Sequence, residues 1–214
     1  MKLAIFGATS PSGKLLVHKA LSAGHAVTVY ARNPSKLSGL AGVTVVQGEL
    51  TESDAIARAV GGQDAVLSLL GPTRRSTGTP VADGTRLIVK AMQAAGVKRL
   101  IATATPSAAD PLDGSALSFR LVVAGIKAFA GSAYTEIVTT AQVVRDSGLD
   151  WTLVRLPMLS NAPASKPAAA GYLGDPRIKL FSLSSLSRET LTDFMLVQLT
   201  DRTWLHKAPV LSNG

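Results

Sequence analysis

The apolar run Leu3-Ala4-Ile5-Phe6 stops at Gly7-Ala8-Thr9-Ser10-Pro11-Ser12-Gly13 and is followed by Lys14-Leu15-Leu16-Val17. That order of residues reads as a buried strand, a tight turn and a helix start. Gly7 permits a sharp turn at the strand end, and Gly13, which lacks a Cβ, lets the helix lie close to the sheet. Amides at the helix start then face an anion, with the positive end of the helix dipole behind them. At the first junction of a βαβ unit that anion is the diphosphate of a dinucleotide, so Gly7, Thr9, Ser10, Pro11, Ser12 and Gly13 are the first candidate ligands. The alternative is a plain strand-to-helix turn.

The second strand, Ala26–Ala31, ends at Arg32-Asn33-Pro34-Ser35-Lys36. A protein built for NAD places an acidic residue here to hold the ribose 2′-hydroxyl. No carboxylate is present, whereas Arg32 and Lys36 offer positive charge where the 2′-phosphate of NADP would lie. The other reading is two solvated charges on an exposed loop.

Strand-like runs at 2–6, 26–31, 43–47, 64–70, 98–104 and 150–156 alternate with helical patterns at 12–24, 51–60, 80–96 and 118–147, the last broken near Gly131-Ser132. A further helix is expected near 187–200. This alternation is the signature of an α/β Rossmann-type, doubly wound parallel sheet, and 214 residues suit one domain spanning 1–214. A hydrophobic content of 46% against 17% charged residues fits aliphatic strands buried on both faces. Thr51-Glu52-Ser53-Asp54 has the residues of a helix start, and Gly96 those of a helix end.

The composition also excludes several kinds of chemistry. There is no cysteine, and His18, His25 and His206 lack ligand spacing, so no metal site is expected. The net charge of +8 is spread in singles and pairs such as Arg74-Arg75, without the aromatic interleaving of nucleic-acid binders, and is read as surface charge. No stretch approaches the ~20 apolar residues of a membrane span, and the first apolar run is too short for a signal peptide, so the expected compartment is the cytoplasm.

In this class of fold, ligands bind outside the carboxyl ends of the strands. Glu49 and Leu50 follow the third strand, where the adenine end of a dinucleotide would lie. Glu49 either accepts from the adenine amino group or caps the next helix. Leu70 and Gly71 follow the fourth strand, with Gly71 allowing close approach of the cofactor. The segments 105–117 and 157–176, rich in small residues and proline, are long connections at the same edge and are expected to frame a substrate mouth.

Taken together, these segments resemble the atypical short-chain dehydrogenase/reductase superfamily, in its NmrA-like and biliverdin/flavin-reductase-like branch. Gly7-Ala8-Thr9-Ser10-x-x-Gly13 is similar to that group's GATGxxG, with Ser10 in place of the middle glycine. Arg32 with Lys36, Gly62-Gln63-Asp64-Ala65-Val66, Ala95-Gly96-Val97-Lys98-Arg99 and Ser147 to Arg155 are similar to its recurring segments. The resemblance implies an NADP(H)-dependent reductase of a small planar acceptor such as a flavin or quinone, or a redox-sensing relative that binds the cofactor without turnover. It places Thr105 as the catalytic threonine after the fifth strand, preceded by Thr103, and Pro157 beside the nicotinamide; the other reading of Thr105 is a threonine that helps to terminate the strand.

The Tyr-x-x-x-Lys pair used by many members is missing: Tyr134 is followed by Thr135-Glu136-Ile137-Val138. Lys127 precedes Tyr134 in reversed order. Reduction of an isolated ketone needs a strong acid near the nascent alkoxide, whereas a flavin or quinone gives a delocalised anion that water can protonate. The sequence therefore favours a planar acceptor. The number of copies that associate is not encoded in any of these motifs.

Overall fold

The computed structural model describes residues 1–72, 78–114, 131–164, 167–178 and 185–213. In chain order the elements are β1 (Lys2–Phe6), α1 (Pro11–Ser22), β2 (Ala26–Ala31), a 3-10 turn (Pro34–Leu37), β3 (Val43–Gln47), α2 (Ser53–Val60), β4 (Ala65–Ser68), α3 (Pro80–Ala95) and β5 (Arg99–Ala104). Then follow α4 (Gly131–Arg145), β6 (Asp150–Arg155), β7 (Leu159–Ser160), β8 (Ala168–Gly171), β9 (Leu186–Ser187), α5 (Arg188–Val197) and β10 (Val210–Asn213).

Eight strands form one sheet in the order β3-β2-β1-β4-β5-β6-β10-β8, parallel except for the edge pair β10 and β8. The first six strands have the Rossmann order. Phe6 of β1 sits between Tyr30 of β2 and Ser68 of β4, so the winding reverses at β1, and the crevice beside it is where a dinucleotide lies in such folds. Side-chain alternation builds two cores. Leu3 and Ile5 of β1 face α1 and α5 with Leu16, Leu191 and Met195, while Ala4 and Phe6 face the opposite layer with Ile56, Ile88 and Met92. Gly96 ends α3 in the left-handed conformation, φ +70°, as expected of a C-cap glycine.

Several boundaries differ from the sequence expectation. The strand expected over 64–70 ends at Ser68, although the Leu69 N–H still donates to the Phe6 carbonyl of β1 at 3.0 Å. The helix expected from residue 51 begins at Ser53, and its cap residue Glu52 makes no side-chain cap bond. The helix near 187–200 spans Arg188–Val197. The segment 157–176 is not a plain connection: it contains β7 and β8. β10 was not expected at all. Of the helix expected over 118–147, residues 118–130 lie outside the described residues, as do residues 115–117 of the connection 105–117.

Not all of the positive charge is on the surface. Arg99 is 8% exposed and Arg155 fully buried. Arg99 holds the carboxyl end of α5 by two bonds to the Gln198 carbonyl, at 2.9 and 2.6 Å, and burial lowers its pKa to about 10.

Candidate functional site

The β1–α1 turn is built by two close backbone approaches. Gly7 has φ +82°, and a Cβ on it would come within 2.9 Å of the Leu69 backbone. At Gly13 a Cβ would overlap the Gly7 carbonyl oxygen and lie 2.7 Å from the Ala8 Cα, so α1 can sit this close to β1 only with glycine there.

Ser10 is the N-cap of α1. Its Oγ accepts from the Gly13 N–H at 3.0 Å, its carbonyl from the Lys14 N–H at 2.9 Å, and its own N–H donates to the Gly7 carbonyl at 3.1 Å. Pro11, the first helical residue, has no N–H. Among the described residues the Ser12 N–H, alone in this turn of the helix, meets no protein acceptor and remains for an anion. The side chain in place of the middle glycine thus takes over the Gly13 amide, while its hydroxyl hydrogen stays free to donate to a phosphate oxygen. A dinucleotide diphosphate would fit this turn, where the helix dipole, the Ser12 amide and the Ser10 hydroxyl could hold it.

The other predicted cofactor residues lie along the same sheet edge. Arg32 directly follows β2, exposed, and its Nε lies 3.9 Å from Glu49 Oε1. Lys36 is in the 3-10 turn, also exposed; Asn33 opens that turn by accepting from the Ser35 N–H at 3.1 Å. Glu49 does not cap a helix. Its N–H instead donates to Glu52 Oε1 at 2.8 Å in the loop that precedes α2. The Tyr30 hydroxyl donates to the Glu49 carbonyl at 2.7 Å, and burial with nearby Glu52 and Glu49 pushes its pKa up to about 12. Leu50 is half-buried over Gly84 of α3.

Beyond β4, β5 and β6 the edge encloses a cavity of about 200 Å³. It brings together the predicted Leu70, Gly71, Thr103, Thr105 and Pro157, and adds Leu69, Pro72, Ala104, Leu156 and Leu159 from the same connections. Val81 of α3 and Ile137 and Thr140 of α4 close it. Thr103 donates to the Ser68 carbonyl at 3.3 Å, and Thr105 shares a hydrogen bond with the buried Ser107 hydroxyl. Tyr134 is not among the lining residues, and Lys127 lies outside the described residues.

Two buried acids organise this end of the molecule, and neither was read from the sequence. Asp113 grips the buried Arg155 guanidinium through two bonds of 2.6 and 2.7 Å and accepts from the Leu173 N–H at 3.1 Å. Arg155 also donates to the Ala208 carbonyl at 2.7 Å. Burial alone would raise the Asp113 pKa; the bonds from Arg155 and from the Asp110 and Leu173 amides outweigh it and hold the pKa below the usual carboxylate value. This clamp ties the 105–114 connection to the strand that delivers Leu156 and Pro157 to the cavity. Glu136 of α4, 1% exposed, accepts from the Ala82 N–H at 2.8 Å and so caps α3 from the neighbouring helix.

The model of the NAD(P)H-binding family matches residues 7–202, and the chain belongs to that family. A 3-beta-hydroxysteroid dehydrogenase of Mycolicibacterium neoaurum is 31% identical over 118 residues, a match covering 50% of this chain and 32% of that protein. The chain thus matches about a third of this curated relative's length.

Among solved structures, the anaerobillin reductase of Escherichia coli O157:H7 superimposes with a TM-score of 0.79 at 18% identity, over 100% of this chain and 97% of that one. An oxidoreductase from Lactococcus lactis gives 0.80 at 18%, over 100% and 91%. A short-chain dehydrogenase/reductase from Veillonella parvula DSM 2008, solved in complex with NADP, gives 0.73 at 20%, over 99% and 94%. At these identities the likeness is one of fold, and the fold is the Rossmann-like one that the motifs implied. Among the described residues no helix is long and apolar enough to cross a membrane.

Proposed function

We propose that the protein is an NADPH-dependent reductase of a small planar acceptor of the flavin or quinone kind, bound in the cavity beyond β4, β5 and β6. The cavity carries this reading: apolar walls with a few hydroxyls sit at the strand ends, on the same sheet edge as the glycine turn of a family that binds NAD(P)H. The dihydronicotinamide, when bound, supplies the hydride. The protein's part is to hold the acceptor flat in a dry site, with the Thr105 hydroxyl orienting one polar atom. Apolar walls favour an acceptor whose reduced form is a delocalised anion, because none of the described residues that line the cavity is an acid.

Arg32 supports a preference for NADP(H) over NAD(H), as a guanidinium placed beyond β2 where a 2′-phosphate would extend. Steady-state NADPH oxidation across a panel of flavins and quinones tests the reading. The missing Tyr-x-x-x-Lys pair favours a second reading, a cofactor-binding redox sensor. Tight NADPH binding with no turnover of any acceptor would select it.

A further inference from the structure

We propose that Glu49 and Arg32 together set the choice of dinucleotide: the Glu49 carboxylate takes the ribose 2′-hydroxyl of NAD(H), Arg32 takes the 2′-phosphate of NADP(H), and the protein binds both, NADP(H) the tighter. This rests on the cofactor half of the reductase reading above. In this kind of fold an acid at the end of the second strand holds the ribose of NAD. Here β2 runs into Arg32, and the acid arrives from the neighbouring strand. Ala31 of β2 is paired with Gln47 of β3, so the two chains leave the sheet side by side, and Glu49 Oε1 comes to 3.9 Å from Arg32 Nε.

The backbone that carries these two charges is held from several directions. The Glu49 carbonyl accepts from the Tyr30 hydroxyl at 2.7 Å, and the Glu49 N–H donates to Glu52 Oε1 at 2.8 Å. The Gly48 N–H donates to the Ala31 carbonyl at 3.3 Å, and a Cβ at Gly48 would collide with the Tyr30 hydroxyl. On the other strand the Arg32 carbonyl accepts from Gln47 Nε2 at 3.5 Å. The two side chains stay open to a ligand, 73% exposed for Arg32 and 54% for Glu49. At 3.9 Å they are past hydrogen-bond reach, so neither group is spent on the other, and so exposed an ion pair adds little to stability. It does place two opposite preferences at one point. A carboxylate accepts from a hydroxyl, whereas a phosphate is drawn to the guanidinium and repelled by the carboxylate. A contact of Glu49 with the adenine amino group would favour the two dinucleotides equally, because they share that ring.

The test is calorimetric titration of the full chain with NADP⁺ and with NAD⁺, with no acceptor present. The wild type should bind both. Glu49→Gln keeps the side-chain length and removes the charge, and should tighten NADP⁺ and weaken NAD⁺ by about threefold each. The gain for NADP⁺ should shrink at high salt, since it comes from relieving a repulsion between exposed charges. Movement in opposite directions is the signature, because a disturbed loop or a lost adenine contact weakens both cofactors. No measurable binding of NAD⁺ to the wild type, or a Glu49→Gln variant in which both affinities move together or neither moves, would overturn the proposal and leave the reductase reading standing. A wild type that bound neither dinucleotide would bring down that reading as well.

Discussion

Replacing Asp113 by alanine leaves the Arg155 guanidinium, fully buried, without its counter-ion. Two short charge-assisted bonds of 2.6 and 2.7 Å disappear, while the bond to the Ala208 carbonyl remains. Neither charge has solvent to fall back on, since the two side chains are 0% and 9% exposed. Removing one member of such a pair costs about 3–5 kcal/mol. For a chain of this size that is a fall in melting temperature of roughly 6–20 °C.

The pH dependence has a definite sign. Asp113 has a folded pKa below its unfolded value near 3.8, so its contribution is complete above that value and is lost as pH falls from 3.8 through the folded pKa. Wild type and Asp113→Ala should therefore differ fully at neutral pH and converge in acid. Urea denaturation followed by circular dichroism, at neutral pH and stepwise into acid, measures both effects. A loss below about 1 kcal/mol at neutral pH, or a difference that persists undiminished once Asp113 is protonated, would refute the clamp as described.

Arg32→Ala should weaken NADP(H) binding about five- to tenfold and leave NAD(H) binding nearly unchanged, the effect being moderated by the exposure of Arg32 and its proximity to Glu49. Calorimetry with both cofactors reads it, and equal affinity of the wild type for the two would contradict the assignment. Gly13→Val should abolish cofactor binding, because its Cβ would overlap the Gly7 backbone. Ser10→Gly should cost only a few tenths of a kcal/mol in stability, glycine being an acceptable N-cap, and melting curves with and without NADPH separate the two effects. Tyr134→Phe should leave acceptor reduction within a few-fold of wild type, whereas Thr105→Val should lower turnover about tenfold with unchanged NADPH affinity; the reverse order in steady-state assays would place Tyr134 in the chemistry.

The strands and the glycine turn were legible because a parallel sheet buried on both faces leaves unbroken aliphatic runs, and because Gly7 and Gly13 sit where backbone must meet backbone. Of the cavity wall, Leu70 and Gly71 were legible because they follow a strand whose end can be read from its run, whereas Thr103, Thr105 and Pro157 entered through the family resemblance. Thr140 could not be found that way, since a single threonine in a helix carries no mark of the face it occupies.

The burial of Arg155 and Arg99 is not legible in the sequence, because their partners are remote along the chain. Asp113 is 42 residues from Arg155, and the Gln198 carbonyl 99 from Arg99. β8, Ala168–Gly171, has too little side chain to announce a strand, and it exists by pairing with β10 at the sheet edge.

The central claim is tested most directly by a single turnover under anaerobic conditions. The protein is mixed with one equivalent of NADPH and an excess of 2-methyl-1,4-naphthoquinone, and the nicotinamide absorbance is followed against protein-free and Gly13→Val controls. A reductase predicts complete loss of NADPH absorbance in the wild type, at a rate well above both controls. NADPH that stays reduced while calorimetry shows it bound, with the naphthoquinone and with every flavin tried in its place, would contradict the account.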